Sequence, residues 1–266
     1  DDAAPEAIAS AEQALRLARG QRSMVREVRR VFERARAWER ARDLLREEIE
    51  AATRAEAPAL LRRLARIAWD ELRDAALACD ALEAVEASEP LRVDDRERFA
   101  AALAELGRHS ESLAQREKAL SEVGDLATAA SWLALARDTM QLLDDPGRTR
   151  EACNRALARE PHLTEALELR AGVHARLCEP ARELEDVLEL AELEASPVAA
   201  AAWFTRGAEL ARNRLGDEAR AGALFRAALK RDANHLPALL GAGELALARG
   251  DWAEAERSHG LATALL

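Results

Sequence analysis

The chain has 266 residues, of which 49% are hydrophobic and 33% are charged, with 12 Gly, 8 Pro and no Tyr. This balance is typical of long amphipathic helices, and the β-branched residues lack the alternation that strands require, so we predict an all-α fold. The formal net charge of −10 argues against a nucleic-acid partner. Because no long uncharged apolar run is present, we also expect no membrane insertion and a soluble, cytoplasmic protein.

Residues with catalytic or metal-binding chemistry are scattered. Cys79, Cys153 and Cys178 have no CxxC spacing and are interpreted as buried structural thiols, and the histidines have no metal-ligand spacing. The acid pairs Asp94–Asp95 and Asp144–Asp145 are typical of turns and helix caps. The sequence also lacks a Gly-rich phosphate loop and a GxSxG motif. We therefore predict a protein that is not an enzyme and has neither a metal nor a cofactor.

The N-terminal segment APEAIASAEQALRLARG predicts one helix within residues 1–20, with Pro5 near its first turn and Gly20 as its stop. We expect this helix to cap the apolar face of the repeats that follow. The next segment, Arg22 to Asp43, is rich in arginine although the whole chain is acidic. This basic first hairpin is either a solvated face or a binding surface, and the sequence leaves both interpretations open.

Residues 21–266 contain a repeat of about 36 residues, which is typical of helical hairpins. Small residues mark the equivalent positions of the second helices: Ala41, Ala78, Ser112, Thr149, Ala221 and Ala255. A weaker copy lies around Ala181 to Leu184, where the register between residues 165 and 200 is ambiguous. A small residue at a helix contact lets two backbones approach closely, so we expect these positions to be packed.

The repeats resemble the tetratricopeptide family, in which a first helix with a Trp and a Leu-Gly pair precedes a second helix with small residues and a closing Pro. Positions that match this pattern are Trp132, Trp203, Gly243, Ala255, Ala262, Pro90 and Pro161. The resemblance implies a right-handed superhelical α-solenoid of about seven hairpins. The chain departs from the pattern at Glu48, which takes a closing Ala position, and at Arg116 and Cys153, which take aromatic positions.

The aromatic residues support this register because the register was set from the small residues alone. Seven of the nine aromatics fall where the family packs them, and we expect these side chains in the core. They are Trp132 and Trp203 in first helices, Phe32 and Trp69 at the first-helix aromatic position, Trp38 and Trp252 at the start of second helices, and Phe225 within one.

The resemblance also implies a function, since the first helices of such arrays line a concave groove that binds a partner segment. The predicted groove residues are Arg26, Arg30, Arg63, Arg137, Gln141, Phe204 and Leu240. The three N-terminal arginines are similar in charge to a carboxylate clamp, so we expect an acidic or phosphorylated protein segment as partner. Phe204 is expected to offer an apolar wall. The alternative is a structural subunit that forms homo-oligomers or joins a larger complex through Leu261, Leu265 and Leu266.

Overall fold

A computed structural model describes residues 3–17 and 21–265. Within these residues the chain forms α-helices and no strand, which confirms the all-α prediction, and none of the helices is long and apolar enough to cross a membrane. Gly20 and Leu266 lie outside the described residues. The helices are α1 Ala3–Leu17, α2 Arg22–Arg34, α3 Trp38–Glu50, α4 Ala57–Arg66, α5 Ala75–Glu86, α6 Val93–Glu105, α7 His109–Val123, α8 Ala129–Leu143, α9 Pro146–Leu157, α10 Thr164–Arg176, α11 Pro180–Leu193, α12 Pro197–Asn213, α13 Glu218–Arg231, α14 Leu236–Arg249 and α15 Trp252–Ala264.

After α1, the described helices pair in chain order, from α2 with α3 to α14 with α15, and each pair is an antiparallel hairpin. The first helices begin about 36 residues apart, so the prediction of seven helical hairpins is confirmed. The chain divides into an N-terminal unit, which ends at Gly124, and a C-terminal unit, which begins at Asp125. Helix α1 contacts α2 in the N-terminal unit, and its role as a cap for the array stays a prediction.

Each hairpin turn contains one residue in the left-handed backbone region, directly before the cap of the second helix. Only three of these residues are glycines; the full set is Arg36, Arg73, Gly107, Asp144, Cys178, Gly216 and Gly250. In four hairpins the next residue is an aspartate whose side chain accepts a backbone N–H three residues later. The prediction of turn and cap roles is therefore confirmed for Asp144 and Asp145.

The small residues of the repeat are packed as predicted. Ala41, Ala78, Ser112, Thr149, Ala221 and Ala255 are all buried. Each lies four residues after the N-cap of a second helix. In α11 the residue four positions after the N-cap is Glu183, which is buried. Ala181, where the weaker copy of the repeat was predicted to begin, is exposed. The Glu183 carboxylate accepts a hydrogen bond from the Arg206 guanidinium at 3.0 Å, and this ion pair lets a charge take a small-residue position.

Three predicted burial states are wrong. Trp252 begins α15 but is 71% exposed, and the Cys178 side chain is exposed in its turn. Phe204 is only 5% exposed and lies in the core of the C-terminal unit, so it is not an accessible groove wall. The physical reason is that Phe204 precedes Asp217 by the same thirteen residues that separate the buried Trp132 from Asp145. Phe204 is therefore the buried aromatic of α12, whereas Trp203 is only partly buried against the same core.

Candidate functional site

The first helices of neighbouring hairpins approach one another in the C-terminal unit, where α8 contacts α10 and α12 contacts α14. We call the exposed side of α2, α4, α6, α8, α10, α12 and α14 the first-helix face, and we describe it separately in each unit. The predicted site residues belong to these helices.

The most basic part of the first-helix face lies in the N-terminal unit. Five arginines from α4 and α6 line one cavity of about 320 Å³ together with two aspartates. We call this set the arginine cluster: Arg62, Arg63 and Arg66 of α4, and Arg92 and Arg98 at the start of α6. The aspartates are Asp94 and Asp95 in the first turn of α6. The side chains that line the cavity therefore carry a net positive charge.

Three arginines of the cluster are held by carboxylates of the same unit. Arg62 donates to Asp95 at 2.8 Å and also to Glu89, Arg63 donates to both oxygens of Glu33, and Arg98 lies 3.6 Å from Asp70. Burial alone would lower the pKa of Arg62, but the hydrogen bonds to Glu89 and Asp95 raise it, so this guanidinium stays charged.

The other two guanidinium groups form no such pair with a carboxylate of the described residues. Arg66 and Arg92 are exposed, and their side chains make no hydrogen bond or ion pair with any described residue. Arg92 is also the N-cap residue of α6, and its side chain does not cap the helix. The positive end of the α6 dipole therefore lies beside the cluster and adds to its field.

Only one of the three predicted clamp arginines, Arg63, lines this cavity. Arg26 lies 3.5 Å from Glu56 and 3.8 Å from Glu48, and Arg30 donates to Glu27 at 2.7 Å on its own helix. Sequence reasoning missed the other members of the cluster. The segments LLRRLAR and LRVDDRER contain them, but their charges are mixed or interleaved with apolar residues and therefore give only a weak signal.

The predicted site residues of the C-terminal unit have a different setting. Arg137 and Gln141 are exposed on α8 and Leu240 is exposed on α14, but Phe204 is buried. Arg137 donates to Glu165 of α10 at 2.6 Å. Two similar pairs join neighbouring hairpins, Arg176 with Asp144 at 2.6 Å and Arg212 with Glu244 at 3.0 Å.

Groups suited to metal binding or thiol chemistry do not form a site in the part of the chain that the structure describes. It contains no set of three or more His, Cys, Asp or Glu side chains arranged to hold a metal ion. Burial raises the pKa of the Cys79 thiol to about 11 and that of the Cys153 thiol to about 12. These thiols are therefore protonated, and poor nucleophiles, at neutral pH.

No protein-family model matches the chain, and no curated protein matches it either. Among solved structures, the C-terminal part of a TPR repeat-containing protein from Cytophaga hutchinsonii is 12% identical, with a TM-score of 0.45 over 90% of this chain and 94% of that one. YrrB, described as a TPR protein with an unusual peptide-binding site, is 17% identical, with a TM-score of 0.44 over 71% and 93%. A mutant form of MamA is 19% identical, with a TM-score of 0.42 over 66% and 98%.

These likenesses are distant, so the fold assignment depends on the hairpins of the chain itself. Each hairpin has a left-handed turn residue, and six of the seven have a buried small residue at the same place in the second helix. The described residues form an array of seven helical hairpins, which resemble tetratricopeptide repeats.

Proposed function

We propose that the protein is a non-catalytic interaction scaffold that binds an acidic or phosphorylated segment of a partner protein on the first-helix face of the N-terminal unit. The anionic group of the partner binds at the arginine cluster. The observation that carries this proposal is that Arg66 and Arg92 lie beside a cavity rich in arginine without any carboxylate partner among the described residues.

The chemistry of the cluster favours an anion over other ligands. A guanidinium group donates two parallel hydrogen bonds to a carboxylate or a phosphate, and two uncommitted groups at one cavity allow more than one such contact. Free arginines repel one another, so an anion relieves this repulsion as it binds. The cluster differs from the clamp predicted from the sequence, because Arg26 and Arg30 already lie beside carboxylates of their own unit.

Peptide binding tests the proposal. Short fluorescein-labelled peptides that carry several glutamates or one phosphoserine are titrated with the protein, and fluorescence anisotropy reports the affinity. We expect the combined change Arg66→Gln and Arg92→Gln to weaken binding about tenfold or more and to reduce its salt dependence, because two phosphate-type contacts are lost.

The matched control is the pair Arg34→Gln and Arg46→Gln, which removes the same charge from exposed positions of the same unit. This control variant is expected to bind like the parent. If both double variants lose affinity equally, only the overall charge matters and the arginine cluster is not the site. If peptides with glutamine in place of glutamate bind as tightly as the acidic ones, the proposal is wrong.

A second candidate function is assembly through α15, and exposed apolar side chains on this helix favour it. Trp252 is 71%, Leu261 58% and Leu265 44% exposed, while Leu266 lies outside the described residues. An exposed apolar surface of this kind promotes self-association. The combined change Leu261→Glu and Leu265→Glu is expected to lower the sedimentation coefficient of a self-associating parent. A parent that stays monomeric at all concentrations excludes self-association through α15.

A further inference from the structure

A small cavity lies between α2 and the C-terminal end of α3, apart from the arginine cluster. Its volume is about 110 Å³, and it is lined by Arg22, Val25, Arg26, Glu47, Glu48, Ala51, Ala52 and Glu56. The residue of interest is Glu48, whose side chain is only 6% exposed. It occupies the closing position of the repeat, where other second helices carry the buried residues Ala119, Ala156, Ala228 and Ala262.

The two carboxylate oxygens of Glu48 have different surroundings. Oε1 accepts a hydrogen bond from Arg29 Nε at 2.6 Å. Oε2 is fully buried and accepts no hydrogen bond from any described residue, and the Nε atom of Arg26 lies 3.8 Å away, beyond hydrogen-bond range. A buried charged oxygen without a donor is costly, so a hydrogen-bond donor that enters the cavity is stabilised once the side chains that cover Oε2 move aside.

We propose that this cavity binds the side chain of a lysine from a partner protein. The ammonium group donates to Glu48 Oε2, and its charge is complemented by Glu47 and Glu56 at the same cavity. The methylene groups of the lysine contact the apolar wall formed by Val25, Ala51 and Ala52.

Size favours an ammonium over a guanidinium. A water molecule occupies roughly 30 Å³ in the liquid, and the cavity therefore has the volume of three or four waters, close to that of a butylammonium group. The flat fork of an arginine is wider and would lie against the two arginines already present.

This inference does not depend on the proposed function, because it concerns a cationic ligand and different residues. The probe is n-butylammonium chloride, titrated into the ¹⁵N-labelled full chain and followed by the amide shifts of Val25, Glu48 and Ala52. We expect saturable shifts for the parent, and an affinity at least tenfold lower in two variants, Glu48→Gln and Ala52→Leu. The change Glu39→Gln, at an exposed carboxylate of the same helix, should leave binding unchanged.

If Glu48→Gln unfolds the protein, Ala52→Leu still tests the proposal, because filling the cavity leaves the Arg29–Glu48 pair intact. Circular dichroism of each variant checks the fold. If Ala52→Leu binds butylammonium as tightly as the parent, the cavity is not the site. If n-butanol at the same concentration gives the same saturable shifts, the cavity binds only the alkyl chain and the proposal of a lysine site is wrong.

Discussion

The two units differ in how completely the arginines of their first helices are paired with acids. In the C-terminal unit, Arg137, Arg176 and Arg212 each donate to an acid from the neighbouring hairpin, 28 to 32 residues away in sequence. In the N-terminal unit, Arg62, Arg63 and Arg98 pair with acids in the same way, but Arg66 and Arg92 have no such partner among the described residues. The residue that stands 32 positions beyond Arg66 is Arg98, whereas the residue 32 positions beyond Arg212 is Glu244.

The contrast shows that the repeat spacing, more than the number of arginines, decides what an arginine does. An acid about one repeat away neutralises the arginine and joins two hairpins, whereas Arg66, which has Arg98 at that distance, is left available to an anion.

The largest effect on stability is expected from replacing Arg29. This buried arginine neither forms an exposed ion pair nor is left unpaired. Its guanidinium donates to Glu48 at 2.6 Å and to Glu33 at 2.7 Å. Replacing it by Met leaves the buried Glu48 carboxylate without its hydrogen-bonded cation, with only Arg26 Nε at 3.8 Å, so we expect Arg29→Met to lower the free energy of unfolding by about 3–5 kcal/mol. Urea denaturation followed by circular dichroism measures this change.

The control for this prediction replaces both partners. A buried ion pair exchanged for apolar side chains is often neutral, so the double variant Arg29→Met with Glu48→Leu should be clearly more stable than Arg29→Met alone. Equal stability of the single and double variants would show that the cost comes from lost packing and not from an uncompensated charge.

The next largest effect is expected on peptide binding. It comes from a substitution that gives the arginine cluster the arginine–acid pairing found in the C-terminal unit. The change Arg98→Glu places an acid one repeat beyond Arg66, as Glu244 stands beyond Arg212. We expect the affinity for a glutamate-rich peptide to fall about tenfold, or roughly 1.4 kcal/mol, because the new acid neutralises Arg66 and repels the ligand. Fluorescence anisotropy provides the measurement. Unaltered affinity would separate peptide binding from the charge of this cavity.

The fold could be predicted from the sequence because it depends on residues that can be interpreted without knowing their neighbours in space. Small residues at a fixed spacing indicate close helix contacts wherever they occur, and Ala41 and Ala255 are both buried as expected. The register failed between residues 165 and 200 because Glu183 takes the small-residue position. Only the neighbouring Arg206, which belongs to the next hairpin, makes that substitution tolerable.

The site was less predictable because a count of charges does not reveal their partners. Arg63, one of the predicted groove residues, lines the basic cavity, but Glu33 holds it, and the uncommitted groups of the cluster are Arg66 and Arg92. Which arginine is free depends on the distance between side chains of adjacent hairpins. Likewise, the choice between Trp203 and Phe204 as core aromatic depends on a rotation of one residue around α12, which composition does not fix.

A smaller effect is expected for the pH dependence of stability. It concerns Glu33, the carboxylate that holds Arg63 of the arginine cluster. Burial would raise the pKa of Glu33, but hydrogen bonds from Arg63 and Arg29 lower it below the ordinary value of 4.5. A carboxyl with a lowered pKa in the folded state stabilises the protein above its unfolded pKa, and this contribution is lost as the pH falls through the folded value. The parent should therefore lose stability below about pH 4.5 more steeply than Glu33→Gln. Urea midpoints measured from pH 6 to pH 3 check this, with the exposed Glu50→Gln as control.

The smallest effect is expected at the Arg137–Glu165 pair, where the change Glu165→Gln frees one arginine on the first-helix face of the C-terminal unit. Both side chains are more than half exposed, so their pairing contributes little, and we expect a loss of about 0.2–1 kcal/mol in the free energy of unfolding. The affinity for the glutamate-rich peptide should change less than twofold, because a single exposed arginine outside a cluster holds an anion only weakly in water. Glu168→Gln, at another exposed carboxylate of α10, is the matched control. A tenfold gain in affinity for Glu165→Gln alone would show that pairing by itself conceals a second site in the C-terminal unit, and the contrast between the units would then lie in their acids and not in the clustering of their arginines.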